Sequence, residues 1–292
     1  MSTFVPLGFG WQPDLPDGRD RTFRDCEIME TLKRLPAQSG VVLPDVVDLR
    51  RDSDGVYFTD VDDQGPLNAS SAFAVLALLE YFERRIHART FDGSKLFLYQ
   101  ATRHRLAASQ HPPADAGAEI RGTLKTLMQI GVPAEKSWPY LADRFTTDPS
   151  PFVFSDAKPI ANLYYVRLND PNHSGDQTWA IVRSFLAAGF PVVFGFSVPS
   201  SLTLDADIPF RPEHDATRGG QAVVAIGYHA NRYGPDQDAL LIRSSWGRRW
   251  GDNGNGWLPV AFVRHQLARD FWTLISADWL DSGELSRPVI CG

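Results

Sequence analysis

The chain has 292 residues, 43% of them hydrophobic, so it can bury a substantial core and disorder is not the default. Its formal net charge is -6 and it has no Lys/Arg-rich run, which argues against nucleic acid as a main partner. No apolar run approaches the roughly 20 residues of a membrane helix, and the N-terminus lacks a basic stretch followed by an apolar core. The only cysteines, Cys26 and Cys291, lie near the two ends. A cytoplasmic protein without metal, cofactor or membrane contact is predicted.

Residues 1–43 contain several turn formers around one short helical candidate at 26–35, which predicts an extended arm packed on the body. Extended segments are expected at 41–49 and 56–61. They precede a nearly all-apolar stretch at 68–87 that ends in ERRIH, a pattern typical of a buried helix with cations at its C-terminus.

Asn68 suits the N-cap of this helix, which places Ser70 and Ser71 in its first turn. Two further helices are predicted at 94–109 and 118–130.

A break at TTDPSP, residues 146–151, separates these helices from a strand-rich second half. Short apolar runs bounded by Gly, Pro and Asp predict strands at 164–168, 191–198, 222–228 and 239–244. A helix at 178–188 lies between the first two. Helices followed by strands indicate an α+β protein with two lobes.

Three blocks occur in order along the chain: DQGPLNASSAFA (63–74), GGQAVVAIGY (219–228) and IRSSWGRRWGDNGNGW (242–257). Together they resemble the papain-like cysteine peptidases, in particular short bacterial and archaeal members without a long inhibitory pro-segment. The resemblance implies an arm at 1–43, a helical lobe at 44–150 and an antiparallel, barrel-like lobe at 151–292. A cleft should run between the lobes.

The same resemblance assigns positions in that cleft. Gln64 stands where the family has its oxyanion-stabilising amide, and Ser70 takes the place of the nucleophilic cysteine. Gln221 stands at the general-base histidine and Ser244 at the asparagine that orients it. An amide cannot take up a proton at neutral pH, so Gln221 cannot act as the base. An enzyme that loses its whole triad typically retains a rate acceleration of only about 10³- to 10⁴-fold over the reaction in water. An engineered cysteine-to-serine change would explain Ser70 alone, so we interpret the three changes as natural.

Further positions expected in the cleft are Gly65, Ser71, Gly117, Gly220 and Trp246. Several of these positions also have a purely structural interpretation. The serine pair can simply bond nearby backbone, Gln64 can hold a loop, Gly117 can be a loop glycine and Trp246 can pack the second lobe. His214 and His229 are the histidines nearest the Gln221 strand, and both are expected to be surface residues.

The sequence therefore leans away from an enzyme. Our first hypothesis is a catalytically inactive peptidase homologue that binds a peptide or protein segment in the cleft by backbone pairing. The alternative is an enzyme of altered chemistry, in which Ser70 supports hydrolysis, acyl transfer or another modification of a peptide-derived substrate. The third is a structural subunit whose lobes serve as an assembly surface.

Overall fold

The structure, a computed structural model, describes residues 4–35, 42–52, 55–107, 114–160 and 163–289. Within these ranges the helices are α1 (Cys26–Lys33), α2 (Ser70–His87), α3 (Lys95–Leu106), α4 (Ile120–Ile130), α5 (Pro151–Asp156), α6 (Gly175–Ala187), α7 (Ala261–Arg264) and α8 (Ala277–Leu280). The strands are β1 (Trp11–Gln12), β2 (Val46–Asp48), β3 (Arg51–Asp52), β4 (Gly55–Val56), β5 (Ala118–Glu119), β6 (Leu163–Arg167), β7 (Val192–Pro199), β8 (Thr217–His229), β9 (Ala239–Arg243), β10 (Asn255–Pro259) and β11 (Ala268–Ser276).

Most strands join one antiparallel sheet in the order β10-β9-β8-β7-β11-β6, with β2 paired to β8. β8 is the longest strand and runs through the middle of the sheet, so its side chains are largely buried. The helices α2, α3 and α4 pack together on one side, and α2 lies against β8. The predicted α+β class, with a helical part and an antiparallel part, is confirmed.

Helix α2 is the central helix of the helical part and is buried over most of its length. It ends at Ala88, whose left-handed backbone stops the helix, and Arg84, Arg85 and His87 in its last turn complement the helix dipole. The prediction that Asn68 caps it was wrong. The N-cap is Ala69, and the Asn68 Oδ1 instead accepts a hydrogen bond from the backbone of Phe9 at 3.0 Å.

Other boundaries differ because tertiary pairing overrides local propensity. Residues 118–119 were predicted to start a helix, but they form β5, a parallel partner of β1. Of the extended stretch predicted at 56–61, only Val56 lies in a strand. Helix α6 begins earlier than predicted, at Gly175, because Ser174 and Gln177 form a reciprocal capping box. Val41, Ser109 and Cys291 lie outside the described residues.

Candidate functional site

Helix α2 and strand β8 bring two of the predicted site residues together. Ser70 is the first residue of α2, and Gln221 lies in β8; both are fully buried. The backbone N–H of Ala222, next to Gln221, donates to the Ser70 Oγ at 3.1 Å. The hydroxyl of Ser70 thus accepts a hydrogen bond from the facing strand, and no hydrogen bond joins it to a histidine among the described residues.

A network of buried polar side chains lies beside Ser70. The Gln64 Nε2 donates to the carbonyls of Phe9 (2.7 Å) and Leu67 (2.8 Å), so its Oε1 must act as the acceptor on the other side. That oxygen accepts from the Gln221 Nε2 at 2.9 Å and from the Ser245 hydroxyl at 2.7 Å. The orientation of both amides is therefore fixed, and the Gln221 Oε1 is left buried without a partner among the described residues.

Ser244 does not join this network. Its hydroxyl donates to the Gly254 carbonyl at 3.0 Å and accepts from the Trp246 N–H, so it holds the turn that follows β9. Its neighbour Ser245 is the residue that contacts Gln221, at 3.1 Å. Nothing in the sequence singled out Ser245, because it falls in the Ser-Trp-Gly motif that follows the position of Ser244.

The N-terminal arm places a peptide group directly over Ser70. The carbonyl oxygen of Phe9 accepts from the Gln64 Nε2 at 2.7 Å and from the backbone N–H of Ser70 at 3.3 Å. Two N–H donors that converge on one carbonyl oxygen, one of them at the N-terminus of a helix, form the geometry of an oxyanion hole. In this structure the hole is filled by the protein's own backbone.

Residues 8–12 of the arm, here called the cleft segment, run between the two lobes. The N–H of Gly10 donates to the Gly220 carbonyl of β8 at 3.0 Å, and its carbonyl accepts from the Ala118 N–H of β5 at 2.7 Å. β1 then pairs with β5 in parallel. One residue of the arm is thus bonded to both walls of the cleft.

Glycines in the walls make room for the aromatic rings of the cleft segment. A Cβ on Gly195 would lie 2.1 Å from the Trp11 indole, and one on Gly220 would lie 2.7 Å from the same ring. A Cβ on Gly219 would lie 2.8 Å from the Phe9 ring. These distances are too short for any side chain, so the walls are shaped around the two rings.

Charged groups secure the end of the arm. Three mostly buried carboxylates, those of Asp14, Asp20 and Asp270, lie beside Arg121 and Arg167; we call these five residues the carboxylate cluster. The two guanidinium groups pair with Asp20 and Asp270, whereas Asp14 accepts from the backbone N–H of Arg121 at 3.3 Å. The Asp270 Oδ2 accepts from the Asp14 N–H at 2.8 Å and from the Trp11 indole at 3.2 Å. Burial, followed by the nearby charge of Asp270, raises the pKa of Asp14 to about 7. Burial also raises the pKa of Asp270.

The other predicted cleft residues surround the cleft segment in different ways. Gly117 lies against it, and a Cβ there would be 2.4 Å from the Gly10 carbonyl, but the backbone pairing comes from Ala118. Gly65 is in the loop beneath Gly8, and a Cβ added at Gly8 would lie 2.9 Å from the Gly65 carbonyl oxygen. Ser71 is buried, and its hydroxyl has no partner among the described residues. Trp246 packs edge-on against Phe4, Phe196 and Trp250.

Neither candidate histidine is placed to serve Ser70. His229 was predicted to follow its strand, but it is the last residue of β8, about 26 Å along the strand from Gln221 at ~3.3 Å per residue. Its Nδ1 contacts the neighbouring Ala230 carbonyl at 2.8 Å. His214 is exposed in the loop before β8.

Little open space remains behind Ser70 and Gln221. A cavity of about 10 Å³ lies between α2 and the sheet, lined in part by Ala74, Ala222 and Ser244, which is room for about one water. In the part of the chain that the structure describes, no three His, Cys, Asp or Glu side chains are grouped to hold a metal ion. Within those same ranges, no helix has both the length and the apolar character needed to cross a membrane.

The chain belongs to the papain family of cysteine proteases, whose family model matches residues 43–262. A peptidase C1-like protein of Acanthamoeba polyphaga mimivirus is 29% identical over 280 residues, covering 92% of this chain and 87% of the relative. Xylellain, a cysteine protease from Xylella fastidiosa, is 29% identical with a TM-score of 0.72, covering 94% of this chain and 98% of that one. A procathepsin B of Trypanosoma congolense shares the fold at 14% identity and a TM-score of 0.66, over 92% of this chain and 86% of its own.

The amide network should contribute measurably to stability. Replacing Gln64 with leucine keeps the side-chain volume but removes the bonds to Phe9, Leu67, Gln221 and Ser245. We expect this change to lower the free energy of unfolding by about 2–4 kcal/mol, because buried partners lose their hydrogen bonds. Ser245→Ala leaves the Gln64 and Gln221 amides paired and should cost about 1 kcal/mol. Urea unfolding followed by circular dichroism measures both, and equal losses would contradict this ranking.

Proposed function

We infer that this protein is a catalytically inactive member of the papain family whose cleft holds an extended peptide segment without cleaving it. By resemblance, Ser70, Gln221 and Ser244 stand at the nucleophile, base and orienting positions of the family. A serine hydroxyl needs a base to become a nucleophile, and an amide at position 221 cannot serve. The bonding of Gln221 to Gln64 and Ser245 supports a structural role for its side chain.

The observation that carries this proposal is the occupied cleft. Backbone groups of Phe9 and Gly10 bond to Gln64, Ser70, Gly220 and Ala118, so both lobes already bind extended peptide through main-chain hydrogen bonds. Pairing of this kind is a general mode of peptide recognition. A segment from a partner protein would bind by displacing residues 8–12.

Binding can be tested with the full chain carrying Gly10→Arg. A Cβ at position 10 would lie 2.1 Å from the Asn68 carbonyl, so the variant cannot keep its own segment in place. Gly18→Arg is the matched control, because a Cβ at Gly18 meets no atom within 4 Å. We expect a library of extended peptides to yield binders for the Gly10→Arg protein and none for the control. No binder for either protein would refute the proposal.

One observation favours the alternative, an enzyme that uses Ser70 in altered chemistry. The donors from Gln64 and Ser70 that hold the Phe9 carbonyl could stabilise a developing oxyanion on a substrate. The discriminating experiment is labelling with a fluorophosphonate probe, applied to the Gly10→Arg protein so that the cleft is open. Stoichiometric labelling that Ser70→Ala abolishes and Ser71→Ala preserves would establish this alternative. Our proposal predicts no labelling.

A further inference from the structure

The occupied cleft is complementary to one pattern of side chains. The cleft segment reads Gly8, Phe9, Gly10, Trp11, so glycines alternate with aromatic residues. Each of the four meets a surface that fits its size, and the fit is made by backbone atoms and glycines of the walls. Backbone cannot move aside as the end of a flexible side chain can, so the pattern is sterically enforced.

The two glycine positions of the segment are closed to any larger residue. A Cβ on Gly8 would lie 2.5 Å from the Leu67 carbonyl oxygen, and one on Gly10 would lie 2.1 Å from that of Asn68. Gly10 also has a φ of 134°, in the range that side chains with a Cβ rarely adopt. Alanine at position 10 would therefore combine a steric overlap with backbone strain.

The two aromatic positions are open to large flat side chains. Gly219 presents bare backbone to the Phe9 ring, and Gly195 and Gly220 form a slot for the Trp11 indole. The indole N–H also donates to the buried Asp270 carboxylate at 3.2 Å. A smaller side chain at position 11 would leave the slot unfilled and remove one hydrogen bond from that carboxylate.

We propose that the cleft is selective for an extended peptide in which glycines alternate with aromatic residues, and that its external ligand is a partner-protein segment with this pattern. The selectivity rests on the proposed function, because it assumes that the cleft binds peptide without cleaving it. The chain's own arm is the internal competitor of that ligand. The indole-binding carboxylate of Asp270 favours a tryptophan at the second aromatic position.

The probe is a fluorescein-labelled peptide with the sequence of residues 7–15, LGFGWQPDL, added to the full-length Gly10→Arg protein. Fluorescence anisotropy should show saturable binding to Gly10→Arg and none to Gly18→Arg. A peptide with alanine in place of its second glycine should bind on the order of 100-fold more weakly, because overpacking and backbone strain add. A peptide with leucine in place of both aromatic residues should lose binding by at least a similar factor.

A protein variant tests the slot from the other side. Gly220→Ala, combined with Gly10→Arg, would place a Cβ 2.6 Å from the Trp11 carbonyl and should abolish binding of the probe. If Gly10→Arg fails to give a native circular dichroism spectrum, full-length Trp11→Ala serves instead, because it weakens the internal competitor without a steric overlap. The same peptides are then compared by their ability to saturate that protein.

The outcomes separate selectivity from binding. Equal affinity of the glycine and alanine peptides would overturn the selectivity proposal but leave peptide binding in place. No binding of any peptide, including library members, would overturn the proposed function itself. Sedimentation of the wild-type chain covers the other source of the same pattern, since dimers formed by exchanged arms would overturn a partner protein as the ligand.

Discussion

Replacing Ser70 with cysteine, Gln221 with histidine and Ser244 with asparagine together is expected to yield a peptidase that stays silent until the cleft segment is displaced. The imidazole would supply the base that the wild-type cleft lacks, and a thiol is intrinsically more readily ionised than a hydroxyl. The oxyanion donors are already in position on Gln64 and Ser70, but they hold the Phe9 carbonyl. A substrate carbonyl cannot use them while that bond persists.

Adding Gly10→Arg to the triple variant should therefore release activity. Hydrolysis of fluorogenic peptides should rise on the order of 10³-fold or more over the wild-type chain, which has at best the contribution of the hole and of binding. Gly18→Arg in the same triple background is the control and should remain silent. Full activity without Gly10→Arg would show that the segment does not block the cleft. If the thiol introduced at position 70 of the triple variant with Gly10→Arg did not react with iodoacetamide, the assignment of position 70 would be contradicted.

Docking of the cleft segment is expected to be tightest in mildly acidic solution and to weaken as the pH rises to neutrality. The carboxylate cluster has three acids and two guanidinium groups, so it carries one excess negative charge when every acid is ionised. Burial and the charge of Asp270 raise the pKa of Asp14 from 3.8 to about 7. Once the arm is released into water as far as Asp14, the pKa of this residue should return to its ordinary value.

The direction of this pH dependence follows from proton linkage. The docked form binds a proton that the released form gives up, so docking is fully favoured below pH 4 as far as this group is concerned. Between about pH 4 and pH 7 the docking equilibrium should fall roughly tenfold per pH unit, and above pH 7 it should level off. The total change is on the order of 10³-fold.

Fluorine NMR on protein containing 5-fluorotryptophan can follow this change, with the Trp11 resonance assigned from Trp11→Phe. The docked signal should decline between about pH 4 and pH 7 and change little above it. Asp14→Asn removes the titrating carboxyl and should flatten the profile. Asp17→Asn changes a partly exposed carboxylate that is paired within the arm to Arg19, so it should retain the wild-type pH dependence. Identical profiles in Asp14→Asn and wild type would disprove the role of Asp14.

The central helix and the central strands could be predicted from local sequence patterns. The apolar stretch ending in ERRIH gave α2, and the β-branched and aromatic runs gave the central strands β7, β8 and β9. The wrong predictions concern residues whose hydrogen bonds go to a segment that is distant in the sequence. Asn68 does not cap α2 because its amide bonds Phe9, which is far away in the sequence.

The occupied cleft could not be predicted for the same reason. Nothing local to Phe9 indicates that its carbonyl meets Gln64 and Ser70, because that contact depends on how the arm crosses the finished fold. The alternation of glycines with aromatic residues at 8–11 was a usable signal, since a packed segment without Cβ atoms at alternate positions indicates close backbone approach on one side. The surface that these residues approach exists only once both lobes are folded and packed together.

The bridging bonds of Gly10 have a mechanical consequence. Its N–H bonds Gly220 in the sheet and its carbonyl bonds Ala118 beside the helices, so a single residue resists separation of the two halves of the molecule. Any hinge motion between the halves must break these bonds as well as those of Ser70 and Gln64 to the sheet. Release of the arm should therefore make such motion easier and also expose a groove. Opening of the two halves and exchange of a peptide in the cleft would then both require the hydrogen bonds of Gly10 to break.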